Sequence, residues 1–157
     1  MQSLNIDVEP IGSSGALSVY YAAIDELERR YGGPDDDEQL PLDELAAPSG
    51  LFVVARFQTH PVGGVGIRRI GEPALDLGEV KRLWVRPDLR RGGVAAALMR
   101  DVEHRARGLG LRQLYLETGP RQPEAIAFYP KIDWRRVDSF PLGAFTHQEA
   151  LRFTKVL

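Results

Sequence analysis

The chain contains no cysteine, which excludes disulfides, thiolate nucleophiles and cysteine-held zinc. Histidine is scarce too. His60, His104 and His147 stand too far apart for a ligand spacing, so no metal is expected and the chemistry must come from oxygen and nitrogen side chains. No apolar run approaches the roughly 20 residues that cross a bilayer, and the opening MQSLNIDVEP lacks the basic-then-apolar order of a secretion signal. The expectation is a cytoplasmic chain with no membrane partner. A large excess of charge of either sign is also missing: the formal net charge is -2, and the adjacent Arg135 and Arg136 make a poor footprint for nucleic acid. What remains is 157 residues, 43% of them hydrophobic, enough for one domain spanning 1–157 to bury a core without staples.

The small net charge hides an asymmetry. Residues 1–50 carry 11 acids against Arg29 and Arg30, whereas residues 51–157 carry 11 acids against 18 bases. The split fits an acidic side facing one ligand and a basic side facing another, or two solvated surfaces that attract each other. The run Asp35, Asp36, Asp37, Glu38 dominates the acidic half and reads as a self-repelling loop.

Periodicity orders the elements. Leu4 to Val8 alternates as a half-buried strand does, and Ser13 or Ser14 can cap a helix from about Gly15 to Tyr31, stopped by Gly32-Gly33-Pro34. A shorter helix is expected at Pro41 to Ala47, then strands at Leu51 to Phe57 and Val62 to Ile70 as an antiparallel hairpin. Glu79 to Val85 reads as a strand, Val94 to about Leu109 as a helix with apolar residues every fourth position, and Leu111 to Thr118 as a strand. Pro123 to Tyr129 follows as a short helix, with strands at Trp134 to Phe140 and Glu149 to Val156. The order β-α-α-β-β-β-α-β-α-β-β predicts an α/β (α+β) fold with a mixed central sheet of six to seven strands flanked by helices.

Arg90-Arg91-Gly92-Gly93-Val94-Ala95 lies between a strand and a long helix, where unpaired N–H groups and the helix dipole favour an anion. Two glycines let the backbone approach a pyrophosphate, the small residues at 95 to 97 keep the first turn open, and two arginines add charged donors. A glycine before a helix is often turn chemistry alone. The P-loop and GxGxxG patterns are absent. Present instead is Arg/Gln-x-x-Gly-x-Gly/Ala, filled by Arg90, Gly93 and Ala95, after the strand Glu79-Val80-Lys81-Arg82-Leu83-Trp84-Val85. About 40 residues on from the arginine comes Gln122-Pro123-Glu124-Ala125-Ile126-Ala127-Phe128-Tyr129. Together these segments resemble the acetyl-CoA motif and the tyrosine helix of the GNAT superfamily, the Gcn5-related N-acetyltransferases, and the element order is similar over essentially the whole chain.

The resemblance implies a GNAT fold with a V-shaped opening between the strand ending at Val85 and the strand Leu111 to Thr118, into which acetyl-CoA lays its pantetheine arm. It implies backbone contacts to the arm and acetyl oxygen from Leu83, Trp84 and Val85, and a phosphate cradle of Arg90, Arg91, Gly92, Gly93, Val94, Ala95 and Ala96, with Lys131 in reach. Tyr129 takes the family position of the general acid and Glu79 that of a glutamate base, while Glu117 on the neighbouring strand is a second base candidate. Period-2 alternation sets Glu79, Lys81, Leu83 and Val85 on one strand face and turns Trp84 to the core. Pro130-Lys131-Ile132-Asp133-Trp134 departs from the acid-base-Gly-Phe continuation of relatives, which predicts a helix end at Tyr129, with Asp133 taking the left-handed geometry of the missing glycine. Each residue also has a plain structural reading: Glu79 pairing with a base, Tyr129 packing beside Phe128, Glu117 on an exposed strand face and the basic residues on solvated surface.

The expected reaction is acetyl transfer to a primary amine of a small molecule or peptide by direct attack in a ternary complex. The alternative is a non-catalytic acyl-CoA-binding module. The acidic residues, with Asp43 and Glu44, could draw in a cationic amine beside Tyr20, Tyr21 and Tyr31. A homodimer is compatible with the family resemblance, but no long apolar stripe demands one.

Overall fold

The computed structural model describes residues 3–33, 41–141 and 149–157. The acidic run 35–38 and His147 lie outside them. Seven strands form one sheet in the order β1-β2-β3-β4-β5-β7-β6. These are β1 Leu4–Val8, β2 Gly50–Phe57, β3 His60–Ile70, β4 Leu77–Val85, β5 Gln113–Thr118, β6 Arg135–Val137 and β7 Leu151–Val156. Among the described residues three α-helices accompany them: α1 Ser14–Tyr31, α2 Val94–Gly108 and α3 Pro123–Lys131. The order and sheet match the expected GNAT fold. Three local expectations are corrected. Pro41 to Ala47 forms only a 3-10 turn at Leu42–Leu45, because two prolines bracket a segment too short for a full α-helix. The strand expected over Trp134 to Phe140 shrinks to the three residues of β6. The helix expected to stop at Tyr129 continues to Lys131, with Pro130 inside its last turn.

The helices sort the apolar residues by face. On one face α1 packs Ala16, Val19, Tyr20 and Ile24 against Phe52, Val54 and Leu45. On the other, Val94, Leu98, Met99 and Val102 of α2 meet Val53, Val65, Ile67, Val80 and Leu114, in a cluster that extends to Tyr129, Trp134 and Phe153. Ser13 caps α1 by accepting the Ala16 N–H at 3.2 Å, and Gly32 ends it with φ 74°. The tyrosine pair of α1 divides: Tyr20 is buried, whereas Tyr21 is half exposed, because neighbours in a helix point about 100° apart.

Every strand pair is antiparallel except β4 with β5. That parallel pair has only three matched positions, Leu77 with Gln113, Gly78 with Leu114 and Glu79 with Tyr115. Beyond Glu79 the strands part, and the rest of β4 has no partner on that side. β4 also carries a bulge. Its register with β3 jumps from Gly66–Lys81 to Gly64–Trp84, so Arg82 and Leu83 together oppose Val65, and Arg82 adopts φ 62°.

The bulge overturns the expected alternation. Leu83 and Val85 join Val80 against the α2 cluster, while Trp84 packs against the α1 cluster, three residues after Lys81. Glu79 therefore does not share a face with Leu83, because an extra residue between them reverses the side-chain sequence.

Candidate active site

A cleft of ≈ 520 Å³ opens where β4 and β5 part. Its walls come from both faces of the sheet. Val80, Leu83, Leu116 and Tyr129 belong to or pack on the α2-side cluster, whereas Ala23, Glu26 and Tyr31 come from α1. Along β5, Leu116 and Thr118 are buried and the residues between them alternate outward, so Glu117 lines the cleft from the opposite face to Leu116.

Tyr129 is 6% exposed and packs on Phe153, Phe128 and Trp134, with ring centroids 5.6, 5.3 and 6.2 Å away. Burial drives its pKa well above the ordinary phenol value, and no hydrogen bond among the described residues offsets it. With Pro130 inside the last turn of α3, Tyr129 still lines the cleft. The helix closes after Lys131 by a double hydrogen bond in which the Trp134 N–H reaches the Tyr129 carbonyl at 3.1 Å and the Asp133 N–H reaches the Pro130 carbonyl at 3.3 Å. Asp133 holds φ 69° there, as its place in the motif leads one to expect, and Trp134 lands against the Tyr129 ring.

Glu79 sits elsewhere. It is fully buried, accepts the Arg68 Nε–H at 3.0 Å and has Lys81 Nζ at 4.0 Å, while Arg68 also pairs with Glu44 at 2.9 Å. It lies at the closed vertex of the splay and does not line the cleft, whereas Lys81 does. Glu117 faces the cleft and stands directly across from Arg152 on β7.

The segment before α2 has the backbone shape of an anion cradle. Arg91 and Gly93 take φ 65° and 88°, and α2 begins at Val94 with no side-chain cap and no acid in its first turn. The first backbone bond runs from the Ala97 N–H to the Gly93 carbonyl, so among the described residues the N–H groups of Val94, Ala95 and Ala96 have no backbone acceptor. A Cβ built on Gly93 would meet nothing within 4 Å, which leaves room for a diphosphate. These residues fit an acyl-CoA phosphate group. Arg90 is engaged within the fold, where its Nε–H donates to the Val85 carbonyl at 2.8 Å and its Nη2 pairs with Glu26, stitching the end of β4 to α1. Neither Arg90 nor Arg91 lines the cleft, and Lys131, on the exposed turn that ends α3, does not either.

Two features of the cleft wall lie outside the motifs. Thr118 is 5% exposed and its hydroxyl has no hydrogen-bond partner among the described residues. Tyr31 and Gln122 join α1 to the β5–α3 loop. The orphan hydroxyl is unmarked in the sequence, since it depends on a strand's parity; of the three tyrosines expected beside the amine only Tyr31 lines the cleft, and its contact across 91 positions is equally unmarked.

The fold thus combines an uncapped helix start at Val94, a gap between two parting parallel strands and a buried tyrosine on the wall of that gap. Residues 19–134 match the Acetyltransferase (GNAT) family, and the chain belongs to it. It is 36% identical over 129 residues to an IAA acetyltransferase from Azospirillum brasilense, covering 78% of this chain and 79% of that one. Its fold is similar to an acetyltransferase from Streptococcus agalactiae, with a TM-score of 0.81 at 16% identity over 100% of both chains. The PaiA N-acetyltransferase from Thermoplasma acidophilum, solved in complex with coenzyme A, gives a TM-score of 0.75 at 15% identity over 99% of each chain. Among the described residues no helix is long and apolar enough to cross a membrane.

Proposed function

We propose that the chain transfers an acetyl group from acetyl-CoA to a primary amine by direct attack within a ternary complex. The observation that carries this reading is the cleft lined from both faces of the sheet, with the cradle and Tyr129 on the α2 side and Glu117 facing the α1 side. The Val94, Ala95 and Ala96 N–H groups would receive the donor's diphosphate. The backbone of β4 from Leu83 to Val85, which lacks a β5 partner, would align the arm and polarise the acetyl carbonyl through N–H groups that need no reorganisation.

The amine must lose a proton and the departing sulfur must gain one. Glu117, directly or through water, accepts the proton from the amine on the α1 side. While Glu117 releases the amine proton to solvent, Tyr129 gives its phenolic proton to the sulfur as the C–S bond breaks and is reprotonated from solvent. Its raised pKa keeps the phenol protonated until that moment, and the net transfer carries one proton from the amine to the thiol. Glu79, locked between Arg68 and Lys81, acts on the reaction only by fixing β4 and the Lys81 side chain.

The experiment is thiol release from acetyl-CoA with a panel of polyamines, aminoglycosides, amino acids and lysine peptides, read with a thiol reagent that a cysteine-free protein cannot consume. Turnover with one class names the acceptor. Tyr129→Phe and Glu117→Gln should each lower kcat by about 10²-fold or more while acetyl-CoA affinity is retained. Binding of acetyl-CoA without turnover of any amine would favour a non-catalytic acyl-CoA-binding module.

A further inference from the structure

The cleft is bridged at its α1 rim by a set of contacts that the transfer chemistry does not require. The Tyr31 hydroxyl accepts the Arg121 N–H at 3.1 Å and donates to Gln122 Oε1 at 3.3 Å, and that oxygen also accepts the Gly119 N–H at 2.9 Å. Arg30 Nη1 donates to the Arg121 carbonyl and Arg121 Nη1 to the Arg30 carbonyl, each at 3.1 Å. Arg30 also pairs with Glu124 of α3, and the Arg121 guanidinium lies 5.7 Å from the centre of the Tyr31 ring. Tyr31, Gly119 and Gln122 all line the cleft.

The bridge is tight at one point and weak everywhere else. A Cβ on Gly119 would sit 1.8 Å from the Tyr31 hydroxyl and 2.6 Å from its Cζ, so only glycine lets the tyrosine lie across the gap. The other contacts are polar and reach solvent, each worth little net stability. Such a strap adds almost nothing to the fold, yet it closes the cleft on the α1 face of the sheet, whereas the uncapped N–H groups belong to α2 on the other face. The donor's phosphates belong at α2, so the strap bounds the other approach, where an amine must enter.

We propose that Tyr31, seated on Gly119 and tied to Gln122, is a specificity-determining residue that limits the size of the amine admitted to the cleft. This rests on the acyl-transfer reading above. Opening the strap widens the acceptor range and leaves donor binding alone, because the cradle and β4 are untouched.

The test uses the whole chain, acetyl-CoA and a homologous series of primary amines of increasing length, with Tyr31→Ala, Gly119→Ala and the double variant. Each single variant should raise kcat/KM for the longest amine relative to the shortest by about tenfold. The double variant should add nothing to Tyr31→Ala, since both changes remove the same ring from the same place. Acetyl-CoA affinity should stay within about twofold, because the cradle contacts are unaltered. An unchanged length preference in Tyr31→Ala, or an effect confined to acetyl-CoA affinity, overturns the proposal. If the wild-type chain turns over no amine, the acyl-transfer reading falls, and thiol release from acetyl-CoA alone then judges the strap: faster hydrolysis in Tyr31→Ala supports closure against water, and an unchanged rate refutes it.

Discussion

Thr118 shows how a single side chain can be read for both stability and function. Its hydroxyl is buried on the cleft wall without a partner among the described residues, and an unmade hydrogen bond there costs on the order of 1–3 kcal/mol. Thr118→Val keeps the shape and removes the orphan, so it should raise the melting temperature in a thermal unfolding scan. A fall would mean that the hydroxyl is satisfied by water. Tyr129 and Asp133 were both legible from sequence, the first because a motif fixes its place, the second because a missing glycine demands a residue that tolerates positive φ. Glu79 was legible as an acid on β4 but not as a buried ion-pair partner. Its fate depends on Arg68, eleven positions away in sequence and opposite it across β3 and β4.

At the scale of elements, hydrophobic period and capping gave most of the boundaries, since α1 and α2 each bury one continuous stripe. The bulge at Arg82 escaped, because a strand's sequence carries no mark of an inserted residue until its partner's register is known. That one residue moves Leu83 and Val85 to the α2 side of the sheet, with Val80, and moves Trp84 to the α1 side. The junction of β4 with α2 was better signposted, since paired glycines before a helix have few uses. Gly93→Ala should cost about 1 kcal/mol of stability through its φ of 88° alone, because the added methyl meets nothing. If the cradle holds a diphosphate, the same methyl stands in its place. Acetyl-CoA affinity by calorimetry should then fall by more than the stability change accounts for.

For the whole molecule, the charge asymmetry of the sequence separates in part onto the helices of the two sheet faces. The basic half supplies the cradle and α2, and the acidic half supplies α1, which carries Glu26 to Arg90. Burial of Tyr129 also reaches the global scale. Its folded pKa is raised, so below about pH 10 the phenol is protonated in both states and folding is not penalised. Above that the unfolded chain ionises while the folded one resists, so stability falls as pH rises. Denaturant titrations from about pH 9 to about pH 11, spanning the ordinary phenol range, should show that slope, and Tyr129→Phe should flatten it. A slope identical in the variant would assign the alkaline loss to other groups.

The early parting of β4 from β5 leaves two strand edges facing each other in the middle of a sheet, with backbone donors and acceptors that neither strand satisfies for the other. The molecule is in this sense built one strand short. A ligand whose own amides ran along that slot would be counted by the sheet as a missing member, so occupancy and architecture would become the same quantity. Cellular supply of the donor would then set how long the chain survives against proteases as well as how fast it works.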